Sequence, residues 1–360
     1  MNNSPYSNNR NRKLRYGAAA CILALSMGLA ACGGDSAIDA PPSDVESEML
    51  RAVEGNNSPV SGTSIVNDAE QASNITVYVT DRHGYLAPVS YNLAANDASS
   101  LATQGLNMLI QDDASTKQLP EGFQATLPSG TQVKQVTIQP EQKLAIVEFS
   151  KQFGEYKPEQ ERRILESITW TLTSMADVDQ VQLWMDSERL TTMPAGGTPI
   201  DKNLTRSYGI NLEKADHVNY MNSMPVMIYF TALTLDGRAY YVPVTRLVEP
   251  SDDPVQSALD QLIIGPQDTR LLNKVATDET KITSIQNGDT ITVDISDSMW
   301  AEGDKIPADL LKSVVLSLTE LPSIAKVQVI MNGKTNITGS DGKDYSQPVT
   351  RPAVNQALKS

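Results

Sequence analysis

The sequence predicts an α+β protein made of two tandem homologous domains, each a small mixed or antiparallel sheet packed by two helices. Two observations predict this. First, the stretch Ser167–Met185 aligns without a gap on Ser313–Met331, sharing Leu172-Thr173, Val181-Gln182 and Met185 with Leu318-Thr319, Val327-Gln328 and Met331. Upstream, Val147-Glu148-Phe149-Ser150 matches Val293-Asp294-Ile295-Ser296, and Pro88-Val89-Ser90 matches Pro243-Val244-Thr245. Matches at nearly constant spacing mark internal duplication. Second, short alternating runs and helical stripes follow one another in the same order in both copies, each about 140 residues long and so large enough to bury a core unaided.

The elements can be justified in chain order. Each copy opens with two strands, Ile75 to Thr80 and Tyr85 to Leu93, then Val226 to Thr231 and Arg238 to Thr245. A helix follows, with the stripe Ala102, Leu106, Leu109 in one copy and Val255, Leu259, Leu262 in the other. In the second copy Asp253 is its cap, Pro254 suits its first turn and Gly265-Pro266 ends it. Next comes a hairpin, Gln132 to Ile138 with Lys143 to Phe149, and Lys281 to Ile285 with Thr290 to Ile295 across an Asn287-Gly288 turn. The second helix has the stripe Leu165, Ile168, Leu172, Met175, repeated as Leu311, Val314, Leu318, Leu321. A last strand alternates Val181, Leu183, Met185 and Val327, Val329, Met331.

The N-terminal segment reads as a lipoprotein signal peptide over 1–31. Arg10, Arg12, Lys13 and Arg15 form a positive region, and the apolar run from Gly17 to Ala31 is too short to span a bilayer comfortably. It closes on Leu29-Ala30-Ala31-Cys32, the form of a lipobox, so Cys32 is the expected lipidation site and the anchor to the membrane. Residues 32–73, rich in Ser, Asn, Asp, Pro and Gly, read as a solvated tether that reaches, fully extended, on the order of 130 Å. The domains are then 74–215 and 216–360.

Composition excludes several classes of function. Cys21 leaves with the signal peptide and Cys32 is consumed by lipid, so disulfides, thiolate metal sites and cysteine nucleophiles are not expected. Loss of four positive and no negative side chains takes the net charge from −14 to −18, a poor match to nucleic acid. The two histidines, His83 and His217, lack metal-ligand spacing, and no glycine-rich phosphate loop follows a predicted strand. No catalytic residue, metal or cofactor is therefore expected. Ser150 and Ser296, each at a strand end without a recurring base, read as serines bonding nearby backbone.

The chain resembles the GerMN-domain family of spore germination lipoproteins from endospore-forming bacteria. The resemblance rests on the lipobox, Leu119-Pro120-Glu121-Gly122-Phe123 with Leu127-Pro128, and Ile168-Thr169-Trp170-Thr171-Leu172-Thr173. It continues through Gly197-Thr198-Pro199-Ile200, Leu204-Thr205-Arg206, Gly209-Ile210-Asn211 and Tyr240-Tyr241-Val242-Pro243-Val244-Thr245, covering essentially the whole precursor. It implies a fold similar to the ring-building modules of secretion systems. It also implies a noncatalytic role in sporulation, with later consequences for germination, in an assembly bridging mother cell and forespore membranes. The partners implied are other envelope and sporulation channel proteins, met at the extracytoplasmic face of the membrane. The second copy lacks a Leu-Pro-x-Gly-Phe stretch, so any contact made by that stretch belongs to the first domain.

Several residues remain as candidates. Arg206 and Arg351, with Asn211 and Asn355 just beyond, recur near the ends of the copies and suit either an anion or a contact that closes the domains. Trp170, matched by Leu316, and Trp184, matched by Ile330, are apolar residues on nominally polar faces. They form the candidate interface, either between the two domains or with a partner. The alternative functional reading is an envelope enzyme or glycan-binding protein acting on spore peptidoglycan, which requires a deep pocket with two converging carboxylates.

Overall fold

Each repeat begins with a long hairpin that stands apart from its other strands. The computed structural model describes residues 71–301 and 303–358. The signal peptide, Cys32 and the tether up to residue 70 lie outside the described residues. In the first repeat β1 (Gln71–Thr80) pairs antiparallel with β2 (Leu86–Ala95), starting inside the segment assigned from sequence to the tether. Helix α1 (Ala98–Asn107) follows, with the Asp97 carboxylate accepting from Ser100 N, and then the short α2 (Asp113–Gln118). β3 (Val133–Gln139) and β4 (Leu144–Phe149) form an antiparallel hairpin, and α3 (Glu161–Leu172) crosses over to β5 (Gln180–Met185), which lies parallel to β4. The two-residue β6 (Glu188–Arg189) completes a mixed sheet in the order β3-β4-β5-β6.

The second repeat retraces this path. After β7 (Glu213–Lys214) come β8 (Met224–Leu233) and β9 (Ala239–Val248), α4 (Pro254–Ile264), β10 (Lys281–Asn287), β11 (Thr290–Ser296), α5 (Ala308–Leu318), β12 (Lys326–Met331) and β13 (Val349–Thr350). Its mixed sheet runs β10-β11-β12-β13. Asp253 caps α4 by accepting from Gln256 N, and Gly265 ends it, as the sequence predicts. The β10–β11 turn is shifted by one residue from expectation. The ladder continues to Asn287 opposite Thr290, leaving Gly288-Asp289 as the two-residue loop, with Gly288 supplying the positive φ. β7, which the sequence reading places at the end of the first domain, pairs parallel with β9, and Glu213 is the counter-ion, at 2.8 Å, of Arg246, which is only 1 % exposed.

The sequence reading expects two helices on one sheet, whereas each repeat has two sheets with its second helix between them. Helix α3 packs against β5 with its apolar stripe and against β1 with its opposite side, so that Ile164 through Leu172 are all buried. The side facing β1 is lined with hydroxyls. Thr171 Oγ1 accepts from Tyr78 N at 3.0 Å, and Ser167 Oγ donates to Tyr78 O at 2.6 Å. Ser174 Oγ bonds both Thr76 N and Thr76 O, at 3.3 and 3.2 Å. The hydroxyls thus serve the free edge of β1, where another strand would otherwise pair. The second repeat keeps the central bond, with Tyr229 N donating to Ser317 Oγ at 3.0 Å.

The apolar stripes and strand faces of both repeats merge into one continuous core, including Val147, Leu165 and Leu183 with Val293, Leu311 and Val329. No helix among the described residues is long and apolar enough to cross a membrane.

The hydroxyl edge yields a direct expectation. Thr171→Val keeps side-chain shape but strands the buried Tyr78 N–H, which should cost about 1–3 kcal/mol in urea unfolding. A cost near zero would mean that the hydroxyl edge is incidental to stability.

Candidate functional site

The residues that attracted attention in the sequence converge on the seam between the repeats. Strands β2 and β9 lie against each other there, and each contains a proline that lacks an N–H donor, Pro88 or Pro243. Asparagine side chains connect them. Asn211 accepts from Leu86 N at 2.8 Å, and its Nδ2 donates to Leu86 O at 2.8 Å and to Pro243 O at 2.7 Å. Asn355 repeats the arrangement from the other side. It accepts from Tyr241 N at 2.8 Å and donates to Tyr241 O at 2.9 Å and Pro88 O at 2.8 Å. Both asparagines have left-handed backbone, φ 48° and 55°, which Asn tolerates better than most residues. The residues before them are also matched, since Ile210 O accepts from Thr245 N and Val354 O accepts from Ser90 Oγ.

Glu166 fixes the first clamp. Its buried carboxylate accepts from Asn211 N at 3.1 Å and from Arg162 Nε at 2.6 Å. Burial pushes this carboxyl above its ordinary value of 4.5, and Arg162 and the Asn211 N–H only partly offset that.

Beside the clamps lies a charge cluster built on one carboxylate. Glu320 accepts from Arg206 Nη1 at 2.9 Å, from Tyr229 Oη at 2.7 Å and from Arg351 Nη2. The arginines occupy equivalent positions in the two repeats and hold equivalent partners. Arg206 Nε bonds Thr173 Oγ1 at 3.0 Å, and Arg351 Nη1 bonds Thr319 Oγ1 at 3.0 Å. Each guanidinium also covers an aromatic ring, Arg206 over Trp170 at 4.4 Å and Arg351 over Tyr229 at 5.4 Å. The carboxylate is not matched, because Ser174 occupies the position of Glu320 in the first repeat. Burial would push Glu320 up, but Arg351, Arg206 and the Tyr229 hydroxyl outweigh it and hold the carboxyl below 4.5. Burial drives the Tyr229 phenol well above its ordinary 10.0, so it donates as a neutral hydroxyl.

The candidate interface residues separate into two pairs. Trp170 is 1 % exposed, packed with Tyr78, Leu86 and Ile210, and donates from Nε1 to Gly209 O at 2.9 Å. Leu316, also 1 % exposed, packs with Tyr229, Tyr241 and Val354. Both are enclosed in the seam and unavailable to a partner as the protein stands. Trp184 and Ile330 lie on the outer faces of the two mixed sheets and remain partly exposed. The Leu-Pro-x-Gly-Phe stretch also reaches across, with Phe123 edge-on to Tyr240 at 5.2 Å while Tyr240 Oη donates to Asp81 Oδ2 at 2.8 Å.

Ser150 Oγ accepts from Gln132 N at 3.0 Å. His83 Nε2 accepts from Arg82 Nε at 2.9 Å, and His217 is exposed at positive φ. Among the described residues no group of three or more His, Cys, Asp and Glu is arranged to hold a metal.

Comparison with known proteins agrees with this architecture. The family model for Germane, sporulation and spore germination, matches residues 76–191 and 227–337. The chain belongs to the Germane family. It is 36% identical over 296 residues to the spore germination protein GerM of Bacillus subtilis (strain 168), spanning 79% of each chain. The solved structure of the tandem GerMN domains of the sporulation protein GerM from Bacillus subtilis superposes with a TM-score of 0.72 at 34% identity, covering 79% of this chain and all of that one. By family, this is a sporulation and spore germination protein.

The two Germane matches stop before the joining residues. Arg206 and Asn211 follow the first match, and Arg351 and Asn355 follow the second. Each Germane repeat therefore supplies the strand edge that is clamped, and the segment after it supplies the clamp. The sequence pattern marks these four residues but not Glu320 or the hydroxyl edge. The available signals were the exchange of Ser174 for Glu320 within an otherwise matched helix end, and the recurrence of small hydroxyl residues at 167 and 171, 313 and 317.

Removing Glu320 should be costly. Glu320→Gln leaves two arginines sharing a neutral amide, an expected loss of about 3–5 kcal/mol at neutral pH. A depressed carboxyl adds stability that is complete above about 4.5 and lost as pH falls through its folded value, so the wild type should weaken in acid. Glu166, raised by burial, has the opposite sign, and stability declines as pH rises from about 4.5 through its folded value. Thermal melts across the acid range should show a flatter acid limb for Glu320→Gln. An unchanged limb would remove Glu320 as the source.

Proposed function

We propose that this Germane protein is a noncatalytic, lipid-anchored structural component of the envelope assembly of sporulating cells. It acts at the extracytoplasmic face between mother cell and forespore. The observation that supports this most is the fate of the polar side chains. Arg206, Arg351, Glu320, Glu166, Asn211 and Asn355 are all engaged in joining the repeats. The result is a double module whose interior chemistry serves rigidity, and whose outer sheet faces, with Trp184 and Ile330, are left for other envelope proteins. The lipobox at Cys32 and the tether suit a body working away from its own bilayer.

The test is crosslinking in sporulating cells followed by mass spectrometry of the membrane fraction. The wild type should give specific crosslinks from the sheet faces to channel proteins of the envelope. Trp184→Glu and Ile330→Glu should abolish those crosslinks while changing stability by only about 0.5 kcal/mol. Cys32→Ala should release the protein from the membrane fraction. Crosslinks solely to peptidoglycan-processing proteins, or none above a tether-only control, would overturn the scaffold reading.

A further inference from the structure

The two repeats diverge where the loop after the last core strand folds back toward the second helix. In the first repeat Glu161 draws this loop down, accepting from Gly196 N at 2.6 Å, Thr198 N at 2.9 Å and Tyr156 Oη at 2.8 Å. Pro194 then lies on Gly154, so near that an added Cβ would stand 3.2 Å from the proline Cβ. The space is filled.

The ungapped alignment that pairs Met185 with Met331, extended backward, puts Trp300 at the place of Gly154 and Pro307 at that of Glu161. The loop of the second repeat is held in another way. Ile306 N donates to Thr338 O at 3.1 Å, Ser340 N donates to Ile306 O at 2.8 Å, and Ala308 N donates to Ser340 Oγ at 3.0 Å. A cavity of about 550 Å³ stays open between Trp300, Ile306, Met331 and the loop.

The turn that presents Trp300 is strongly pre-organised. Asp297, only 2 % exposed, accepts from Thr277 Oγ1 and Thr280 Oγ1 at 2.7 Å each and from Met299 N at 2.9 Å. Asn332 donates to Asp297 O at 3.0 Å and Trp300 O at 2.9 Å, and accepts from Asp297 N at 3.0 Å. Support of this kind fixes a side chain for recognition. The Trp300 indole N–H is itself buried without a protein partner. Thr335 and Asn336 line the cavity with these apolar residues, and Asp304, whose carboxylate accepts from Ala301 N at 2.8 Å, lies at its wall.

We infer that this cavity of the second repeat binds a saccharide of one or two rings. A pyranose has an apolar C–H face that an indole covers and a hydroxyl edge that amide, hydroxyl and carboxylate groups satisfy. The volume lies within the range of small-molecule sites. The inference does not depend on the assembly role, since the cavity lies in one repeat and away from the seam.

Calorimetric titration of the full chain with chitotetraose, cellotetraose and maltotetraose tests it. Saturable binding of at least one of these is expected, weakened at least about tenfold by Trp300→Ala. Asn336→Ala, at an exposed position that should not disturb folding, should weaken binding several-fold, and Trp184→Ala should leave it unchanged. The inference is overturned if none of the three sugars binds saturably, or if binding survives both Trp300→Ala and Asn336→Ala.

Discussion

The centre of this protein is organised around two strand edges that meet without forming a ladder. β2 and β9 each contain a proline, and backbone carbonyls brought together there need donors that the strands themselves do not supply. Asn211 and Asn355 provide them, each through one amide that serves its own repeat and the opposite one. This requires a short side chain able to donate and accept at once, carried on left-handed backbone so that it turns back over the strand. The placement of Glu166 on the Asn211 N–H, and of Thr245 and Ser90 on the residues before the clamps, follows from that need.

The clamps are nearly symmetric, but the charge cluster is not. Two equivalent arginines converge on Glu320, and no matching carboxylate exists at Ser174. A single buried acid between two bases is poorly interchangeable with any other arrangement, because unpairing either base would strand a charge. The asymmetry therefore distinguishes the intended packing of the repeats from alternatives that apolar contacts alone would tolerate. It also explains why the positions most suggestive of ligand binding in the sequence are occupied by the protein itself.

Duplication gave the second repeat latitude that the first has not used. One copy closes its returning loop with Glu161 and Pro194, while the other ties the loop with backbone bonds and leaves Trp300 on a rigid turn beside open space. Joining the repeats and recognising a ligand are thus performed by different parts of the chain.

Periodicity alone determined that the chain is α+β, that it is duplicated, and which faces of its helices and strands are apolar, since stripes such as Leu165, Ile168 and Leu172 repeat at matched positions. Local turn chemistry likewise located α4 between Asp253 and Gly265. The recurrence of Arg206, Asn211, Arg351 and Asn355 marked the joining residues but left open whether they bind an anion or the other repeat. Only the tertiary structure decided that, because the partners of Asn211 and Asn355 are backbone atoms of strands distant in sequence, and backbone carbonyls have no sequence signature. The same holds for the hydroxyl edge of α3, which looks like ordinary polar spacing until β1 is placed beside it. Trp170 and Trp184 show the limit most clearly: both are tryptophans at nominally polar positions, yet one is sealed by Arg206 and the opposite repeat and the other faces outward, a difference set by packing rather than pattern.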